Sequence, residues 1–427
     1  MAISQETFRV IINTFIKTAI PKHTQREIEI PLNTGKIIVI AGARRVGKTF
    51  LLYSIIDKLR KKMASSRLVY LNLEDDRLAE MSLSDFDTFL EGYYALYPEN
   101  RTRTVYFFFD EIQQAPSWEK FIRRIYDTEK CRIFLTGSSS RLLSKEIATG
   151  LRGRTLTYEL FPYSFREYAA TLGLDSDYYL STAKSKLEKA FQQYILNTTF
   201  PELILMPPEQ RRLALKDYLD LIIFRDLIER YETINTYTIK YLIRYLLQNA
   251  GNFLSVNKVY NDLKSQGIKV GKDTLYSYMD NLEDVYAFFI VPLFTSNLRE
   301  QQRNPGKLYL LDNGLKKLVS IQPDKGRMLE NAVFLELRRS CSQIFYYKKE
   351  QEVDLLTEKQ GQITLYNVCY NIADSKTRDR EIAGLQHACN ELGINHARIL
   401  IMDGKEETLK HNKLQIDIAH AMKWFLS

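Results

Sequence analysis

The chain has 427 residues, of which 45% are hydrophobic and 26% are charged, and its formal net charge is +8. This length predicts two or three globular domains, and the positive charge permits nucleic-acid binding without establishing it. The four cysteines lack the paired spacing of a disulfide framework or a zinc site. No apolar run reaches the roughly 18 residues of a membrane span, and no signal-peptide pattern is present. We therefore expect a cytoplasmic protein with no membrane partner.

The first motif is a phosphate-binding loop. It spans eight positions that match G-x-x-x-x-G-K-[ST]: Gly42, Ala43, Arg44, Arg45, Val46, Gly47, Lys48 and Thr49. The glycines let backbone N–H groups turn toward phosphate oxygens, Lys48 can reach the β- and γ-phosphates, and the Thr49 hydroxyl can bind Mg²⁺. An apolar strand at 36–41 enters the loop, and a helix at 49–59 leaves it with its N-terminus toward the anion. We predict that the loop and Phe50 bind a nucleotide, and a chance match in a glycine turn is the alternative.

Strand-like runs follow this loop, and helical stretches separate most of them. They cover 67–73, 104–109, 132–136 and 155–160. Strands that alternate with helices predict a parallel sheet covered on both faces. The fold class expected for residues 1–170 is therefore the α/β fold of the P-loop nucleoside triphosphatases.

Two adjacent carboxylates end the second of these strands. Asp110 stands where a Walker B aspartate holds Mg²⁺, and Glu111 can orient and polarise the attacking water. One extra strand, 67–73, precedes this pair in the sequence. With a glutamate beside the aspartate, the arrangement resembles the additional-strand class of P-loop ATPases and not the small GTPases. The alternative is an ordinary turn at the end of a strand.

Two further features could act on the transferring phosphoryl group. The third strand ends in a serine-rich stretch at 136–140, where Ser138 or Thr136 could contact the γ-phosphate or the attacking water. A plain turn is the alternative. Just before the last strand, Arg152 or Arg154 could act as an arginine finger on a neighbouring subunit. A finger requires a homo-oligomer or another protein partner, and a surface basic pair is the alternative.

Four stretches together resemble a known family. They are the loop 42–49 with its double arginine, the phenylalanine-rich strand into Asp110-Glu111-Ile112-Gln113, the strand end 135–139, and residues 160–168. They resemble the prokaryotic AAA-type ATPases that carry a C-terminal domain of unknown function related to restriction endonucleases. The resemblance covers nearly the whole chain and implies ATP, ADP and Mg²⁺ as ligands, and no N-K-x-D guanine motif is found. It implies little about the biological role.

The region at 171–235 looks like the helical lid that follows an AAA core. Helical stretches at 185–197 and 208–231 lie around a Phe-Pro-Glu sequence. The resemblance implies that Arg225 could face the nucleotide. The alternative is an ion pair on the surface of the helix.

A winged-helix module is predicted at 236–318. Helical stretches at 238–250, 255–266 and 272–286 precede two strand-like runs at 287–294 and 307–311. Three helices and a basic hairpin suggest this fold, in which the third helix enters the major groove of DNA.

The charges of this module argue against deep reading of the groove. The third helix is expected to bury one face, formed by Leu275, Tyr278, Met279, Leu282 and Val285. Its exposed face would carry Asp273, Asp280 and Asp284, which would repel phosphate. Contact with DNA would therefore be made mostly to the backbone, by basic residues before this helix and in the hairpin: Lys264, Lys269, Lys272, Arg299, Arg303 and Lys307. The alternative is a winged helix used for packing or for binding a protein partner.

Residues 319–427 resemble the PD-(D/E)xK nuclease core, in which a helix Glu, a strand Asp and a (Glu/Gln)-x-Lys motif bind metal and activate water. The predicted order is a helix at 328–337, strands at 344–347, 353–356 and 362–370, a helix at 380–392 and a strand at 397–402. Glu330 and Asp354 match the first two positions. The third reads Asn367-Val368-Cys369, which lacks the charged ligand and the lysine, and Cys369 is expected to be a small core residue. The prediction is a nuclease-like domain without nuclease activity.

Together these patterns predict an ATP-binding, Mg²⁺-dependent ATPase that works as a switch or small motor coupled to a DNA or protein partner. Lys48 and Thr49 would hold phosphate and metal, Asp110 would hold metal, and Glu111 would be the base. One alternative is a nucleotide-controlled DNA-binding regulator or defence protein with negligible turnover. The other is an ATP-gated nuclease that uses Glu330 and Asp354.

Overall fold

The computed structural model describes residues 3–138, 150–175, 181–228, 231, 235–320, 322–411 and 413–427. The chain divides into two units, Met1–Leu160 and Phe161–Ser427. This boundary falls before residue 170, where the ATPase core was predicted to end, and the predicted domain limits stay predictions. Residues 139–140 of the serine-rich strand end and 229–230 of the predicted lid helix lie outside the described residues.

A parallel sheet forms the centre of the first unit. Its strands are β1 (Ile37–Ala41), β2 (Leu68–Asn72), β3 (Val105–Asp110), β4 (Cys131–Gly137) and β5 (Thr155–Glu159). They pair in the order β2-β3-β4-β1-β5, and every pair is parallel. All residues of β1 and β3 are buried, which is typical of strands covered on both faces. The predicted parallel α/β sheet is confirmed.

Strand β4 lies between the strand that enters the phosphate-binding loop and the strand that carries Asp110. It pairs with β1 on one side and with β3 on the other. The strand that is extra in the sequence, β2, lies instead at the edge of the sheet. The loop and Asp110 therefore both lie at the carboxyl ends of their strands, where α/β sheets bind ligands, with the end of β4 between them.

In the described part of the first unit, four helices accompany this sheet: α1 (Gln5–Lys17), α2 (Lys48–Arg60), α3 (Asp85–Leu96) and α4 (Trp118–Thr128). Short 3-10 helices connect the elements at Ser65–Arg67, Asp76–Leu78, Pro98–Thr102 and Ile112–Gln114. The core is rich in aromatic contacts, since the rings of Phe108 and Phe134 stack with centroids 4.8 Å apart. The helix α1 was not predicted. Its Phe8 is fully buried and meets Phe89 of α3 with ring centroids 5.6 Å apart.

The second unit begins with helices, which are α5 (Phe165–Thr171), α6 (Ser181–Leu196) and α7 (Pro208–Leu221), with a 3-10 helix at Pro201–Leu203. A π-helix, Ile222–Ile228, follows α7 directly. The continuous α-helix predicted for 208–231 is therefore wrong after residue 221. Arg225 is exposed on this π-helix.

A three-stranded antiparallel sheet and four helices follow in the described residues. The elements in chain order are α8 (Thr236–Asn249), β6 (Phe253–Leu254), α9 (Val256–Ser265), α10 (Lys272–Asp284), β7 (Phe288–Val291), α11 (Leu298–Arg303) and β8 (Gly306–Leu310). The sheet order is β6-β8-β7. The five residues predicted for the buried face of α10 are all buried. Asp284 was expected to be exposed, but it is 2% exposed and accepts a hydrogen bond of 2.6 Å from the Tyr231 hydroxyl.

A six-stranded mixed sheet completes the second unit. The elements are α12 (Asn313–Lys316), α13 (Lys325–Ser340), β9 (Ile344–Lys348), β10 (Glu352–Lys359), β11 (Gln362–Asn371), α14 (Ser375–Leu392), β12 (His396–Asp403), β13 (Glu407–His411), β14 (Leu414–His420) and α15 (Ala421–Leu426). The order is β13-β14-β12-β11-β10-β9, with β11, β12 and β14 parallel. Cys369 belongs to the apolar core beside this sheet, as predicted. Within the described ranges, no helix is long and apolar enough to cross a membrane.

Candidate functional site

The phosphate-binding loop follows β1, and two of its glycines are required by the backbone. Gly47 has a φ of +95°, in the left-handed region that side chains avoid. A Cβ atom on Gly42 would lie 2.3 Å from the carbonyl oxygen of Leu160. Arg45 also has a positive φ, +67°. This geometry turns the loop tightly into the N-terminus of α2.

Lys48 is folded back into this loop and is only 4% exposed. Its ammonium donates to the carbonyl oxygens of Gly42 and Ala43, each at 3.1 Å. It also lies 3.1 Å from the Glu111 carboxylate. The motif lysine and the predicted base are therefore brought together by the end of β3.

Asp110 accepts hydrogen bonds from three hydroxyl groups. The Thr49 hydroxyl donates to Oδ2 at 2.7 Å, the Tyr70 hydroxyl donates to Oδ2 at 2.8 Å, and the Thr136 hydroxyl donates to Oδ1. Burial and then the nearby Glu111 raise the pKa of Asp110, and the hydrogen bonds only partly oppose this. The Thr136 hydroxyl, one of the two predicted to contact phosphate, is therefore hydrogen-bonded to Asp110.

The residues at this point fit a magnesium ion. The Thr49 hydroxyl and the Asp110 carboxylate are oxygen donors, the type that Mg²⁺ prefers, and they are already in contact. No group of three or more His, Cys, Asp or Glu residues that could hold a metal is found in the described part of the chain. A P-loop site does not need one, because Mg²⁺ there is bound by one or two protein ligands together with substrate phosphates.

Glu111 is held in an unusual backbone conformation, and its neighbours favour its ionised form. Its φ is +51°, which is uncommon for a residue with a side chain and is often found at functional sites. Its Oε2 accepts a hydrogen bond of 2.6 Å from the Gln113 amide, which also lies 3.3 Å from Ser138 Oγ. Burial alone would raise the pKa of Glu111, but Lys48, Gln113 and Arg44 lower it below its ordinary value.

Four contacts around the loop and the two carboxylates were not predicted. Arg26, from the segment before β1, is 7% exposed and donates a hydrogen bond of 2.8 Å to the Val46 carbonyl. Tyr70 and Gln113 support the two carboxylates described above. Arg44 of the loop pairs with Glu74 at 2.9 Å. The signal for Arg26, Tyr70 and Glu74 is weak, because each is distant in the sequence from the motif residue that it contacts. Gln113, in contrast, stands in the same stretch as Glu111, two residues later.

Phe50 is 45% exposed, at the start of α2. Its ring centroid lies 5.8 Å from that of Tyr53 and 6.5 Å from that of His23. An exposed aromatic ring directly after the loop is a suitable surface for a nucleotide base.

The two predicted finger residues precede β5. The Arg154 guanidinium lies 3.3 Å from Asp127 and 5.9 Å from the ring centroid of Tyr126. Arg152 is exposed. A contact within the chain thus accounts for Arg154, and the finger role of either arginine stays a prediction.

In the second unit, Lys307 does not belong to an exposed basic hairpin as predicted. It is 3% exposed, and its ammonium lies 2.8 Å from Glu330, 2.8 Å from Asp354 and 3.3 Å from Glu352. The burial arises because β8 is the central strand of its sheet and faces α13 and β10. The other basic residues named for DNA contact are exposed: Lys264, Lys269, Lys272, Arg299 and Arg303.

Comparison with known protein families matches three consecutive parts of the chain. Residues 34–169 match an AAA domain. Residues 188–325 match a domain of unknown function (DUF8612), and residues 325–421 match another (DUF4143). The first match covers the parallel sheet and its phosphate-binding loop.

Two relatives match nearly the whole chain. The uncharacterized protein MJ1544 of Methanocaldococcus jannaschii is 36% identical over 418 residues, which cover 95% of this chain and 92% of that protein. An uncharacterized protein of Haemophilus influenzae is 27% identical over 398 residues, which cover 92% of this chain and 95% of that protein. Among solved structures, the walker-type ATPase PABY2304 of Pyrococcus abyssi is 14% identical and covers 70% of this chain and 99% of that chain. The TM-score of this structural match is 0.43. The chain therefore belongs to the family of MJ1544 and carries an AAA-type, P-loop ATPase-like domain.

Proposed function

We propose that the protein binds ATP with Mg²⁺ and hydrolyses it, and that it works as a switch or small motor. The observation that carries the proposal is the convergence of two pairs at the carboxyl edge of the first sheet. The Lys48 ammonium lies 3.1 Å from the Glu111 carboxylate, and the Thr49 hydroxyl lies 2.7 Å from the Asp110 carboxylate. These pairs combine a phosphate-binding cation, two metal ligands and a base in one place.

The contacts suggest how nucleotide binding prepares the site. Thr49 and Asp110 would hold Mg²⁺, which supplies positive charge against the phosphates. When ATP binds, the Lys48 ammonium exchanges its two carbonyl partners and Glu111 for phosphate oxygens. The doubly charged γ-phosphate attracts it more strongly than two neutral carbonyls and one singly charged carboxylate do. Glu111 then keeps its contact with Gln113 and is left to orient a water molecule and accept its proton.

Ser138 is the hydroxyl that we propose for contact with the γ-phosphate or the attacking water. Its side chain lies next to the Gln113 amide, 3.3 Å away, so it belongs to the same group of contacts as Glu111. Thr136 is engaged with Asp110 and with the backbone N–H of Glu111, which lies 2.9 Å from its hydroxyl. We therefore assign Thr136 a positioning role.

The test is steady-state ATP hydrolysis by the wild type and by Glu111→Gln, with ATP binding measured in parallel. The variant keeps the size of the side chain and its contact with Gln113 but cannot accept a proton. We expect a loss of turnover of about 10²-fold or more with binding retained. Glu91→Gln, an exposed change on α3, is the matched control and should keep wild-type turnover. Nucleotide binding without turnover in the wild type would favour the regulator that only changes conformation.

The same assay tests the arginine finger and the homo-oligomer that it requires. Arg152→Ala and Arg154→Ala would each be mixed with Glu111→Gln. If one arginine acts on a neighbouring subunit, the mixture regains turnover that neither variant shows alone, because some interfaces then hold one intact arginine and one intact base. Without recovery and without self-association, the arginines act only within their own chain.

We further propose that the second unit couples hydrolysis to a DNA or protein partner. The order α8-β6-α9-α10-β7-β8, with the strands paired β6-β8-β7, supports a winged-helix module. Its exposed lysines, Lys264, Lys269 and Lys272, support contact with phosphates, while the loss of Lys307 from this surface weakens it.

Turnover should be measured with duplex DNA, with single-stranded DNA and without DNA, at low and moderate salt. Stimulation that fades with salt and is absent in a triple Lys264, Lys269 and Lys272 to Ala variant would indicate DNA. Turnover indifferent to DNA would indicate a protein partner.

A further inference from the structure

A buried ammonium group lies among carboxylates from two elements of the second unit. Lys307 is the second residue of β8, where its backbone pairs with Val291 on one side and Phe253 on the other. Its Nζ lies 2.8 Å from Glu330 Oε1 of α13 and 2.8 Å from Asp354 Oδ1 of β10. These two carboxylates are the positions that the sequence matched to metal ligands.

The oxygen atoms that a metal ion would need are already engaged. Asp354 Oδ1 accepts from Lys307, and Oδ2 accepts from the backbone N–H of Val368 at 2.9 Å. Glu330 Oε1 faces the ammonium and also accepts from the Tyr309 hydroxyl at 2.6 Å. These carboxylate oxygens of Glu330 and Asp354 therefore do not fit a divalent cation beside Lys307.

The third metal-binding position is engaged as well. Asn367 Oδ1 accepts a hydrogen bond of 3.1 Å from the backbone N–H of Asp354. Its amide nitrogen donates to Glu381 at 2.7 Å. Asn367 therefore holds the backbone of Asp354 in place, and its side-chain oxygen is engaged in this hydrogen bond.

The electrostatics favour a permanently charged lysine. Burial alone would lower the pKa of Lys307, but Asp354, Tyr309 and Glu330 raise it well above its ordinary value. Burial and the neighbouring Asp354 raise the pKa of Glu330 to about 7, which eases the excess of negative charge. A buried charge is tolerated only when it is paired and hydrogen-bonded, and both conditions hold for Lys307.

We propose that the Lys307 ammonium takes the place of a divalent cation between Glu330 and Asp354. The centre is then an internal ion-pair lock that fastens the three-stranded sheet to α13 and β10, and it is not a metal-dependent nuclease site. The chain around Lys307 fits this role. The Tyr346 hydroxyl of β9 donates to the Pro305 carbonyl at 2.7 Å, so the start of β8 is fixed beside the six-stranded sheet.

The test counts Mn²⁺ ions bound to the full-length, nucleotide-free protein by electron paramagnetic resonance. The set comprises the wild type, Asp354→Asn, Lys307→Ala, and Lys307→Ala combined with Asp354→Asn. Lys269→Ala, which removes an exposed lysine from the same unit, is the matched control. Any Mn²⁺ bound by the first unit is common to all variants and cancels in the comparison.

The expected result is that the wild type and Asp354→Asn bind the same number of ions. Lys307→Ala should bind one more, and the double variant should lose it, because the two carboxylates nearest the vacated space, Glu330 and Asp354, are both present only while Asp354 is intact. Mn²⁺ should also raise the Tm of Lys307→Ala more than that of the wild type.

Two outcomes would overturn the proposal. One is a wild-type Mn²⁺ site that disappears in Asp354→Asn, which would place a metal beside the lysine. The other is a folded Lys307→Ala that gains no ion. If Lys307→Ala does not fold with or without Mn²⁺, the comparison of the wild type with Asp354→Asn decides alone.

Discussion

Both units contain a buried lysine that faces carboxylates, and the two lysines differ in their remaining partners. Lys48 contacts one carboxylate and two backbone carbonyl groups, in a loop that begins and ends with required glycines. Lys307 lies on a strand that is paired on both sides, and it contacts three carboxylates. Both ammonium groups are at most 4% exposed, so burial does not distinguish them.

The difference shows how one residue type serves two purposes. Neutral carbonyl oxygens hold an ammonium more weakly than ionised groups do, so an incoming phosphate can replace the partners of Lys48. Three carboxylates around Lys307 match or exceed the charge that any single phosphate would bring. We therefore expect changes at Lys48 to affect turnover, and changes at Lys307 to affect the stability of the second unit.

The largest expected effect is on catalysis. Lys48→Met removes the cation that would hold the phosphates and should lower kcat/KM for ATP by on the order of 10²–10³-fold. Lys307→Met should leave kcat/KM within about twofold of the wild type, because the carboxylates that Lys307 contacts all belong to the second unit. Steady-state hydrolysis measures both. Similar losses in the two variants would remove the distinction between the two lysines.

The second prediction reverses the order of the two variants. Lys307→Met leaves the buried Glu330 carboxylate and the partly buried Asp354 carboxylate without their cation and should cost about 3–5 kcal/mol of unfolding free energy. Lys48→Met should cost less, since Glu111 keeps its contact with Gln113. The chain has two tryptophans, Trp118 in the first unit and Trp424 in the second.

Each tryptophan can therefore report one unit in denaturant titrations. Trp118→Phe isolates the signal of the second unit, and Trp424→Phe isolates that of the first. The loss caused by Lys307→Met should be seen by Trp424. A loss seen only by Trp118 would contradict an ion-pair lock in the second unit.

A third prediction concerns a tyrosine in each unit that donates a hydrogen bond to a carboxylate. Tyr309 donates to Glu330 at 2.6 Å and Tyr70 donates to Asp110 at 2.8 Å. Tyr309→Phe should destabilise the second unit by about 1.5–3 kcal/mol, the range for hydrogen bonds to charged groups, with turnover unchanged. Tyr70→Phe should raise the Mg²⁺ concentration needed for half-maximal turnover. If Tyr70→Phe leaves the Mg²⁺ dependence unchanged, Asp110 does not rely on this hydroxyl for its position.

The smallest effect is expected at Phe50. Stacking on an exposed aromatic ring is worth about 0.5–1.5 kcal/mol, so Phe50→Ala should weaken ATP binding by roughly 2–10-fold. Phe50→Tyr keeps the ring and should bind as the wild type does. Fluorescence titration with an ATP analogue measures both variants. Equal affinity in Phe50→Ala would place the base elsewhere.

The first unit was largely predictable because its signals are contiguous in the sequence. The loop, the strand into Asp110-Glu111 and the helix after the loop are each short stretches with their own pattern. The position of β4 was not predictable, since pairing order depends on packing across the sheet. The hairpin β13–β14 was missed because β13 is an edge strand with several exposed residues and gives no alternating apolar pattern.

Two of the errors in the second unit share one cause, which is contact between residues far apart in the chain. Lys307 was assigned to a basic surface from its neighbours Arg299 and Arg303, yet its partner Asp354 comes from a strand of another sheet. Asp284 was assigned to an exposed face from helical spacing alone, yet Tyr231 covers it. Helical spacing identifies faces of a helix, and only the tertiary fold determines which charged residue is covered.

The contact of Arg26 with the loop has a practical consequence for anyone who isolates the AAA-type domain. A fragment that begins at β1 would lack Arg26, which holds the Val46 carbonyl, and would also lack α1, whose Phe8 fills the core against Phe89. The loop would then lose a buried partner at its midpoint, and the sheet would expose an apolar face. A fragment intended for nucleotide-binding studies should therefore start ahead of α1, even though the recognisable motif begins at Gly42.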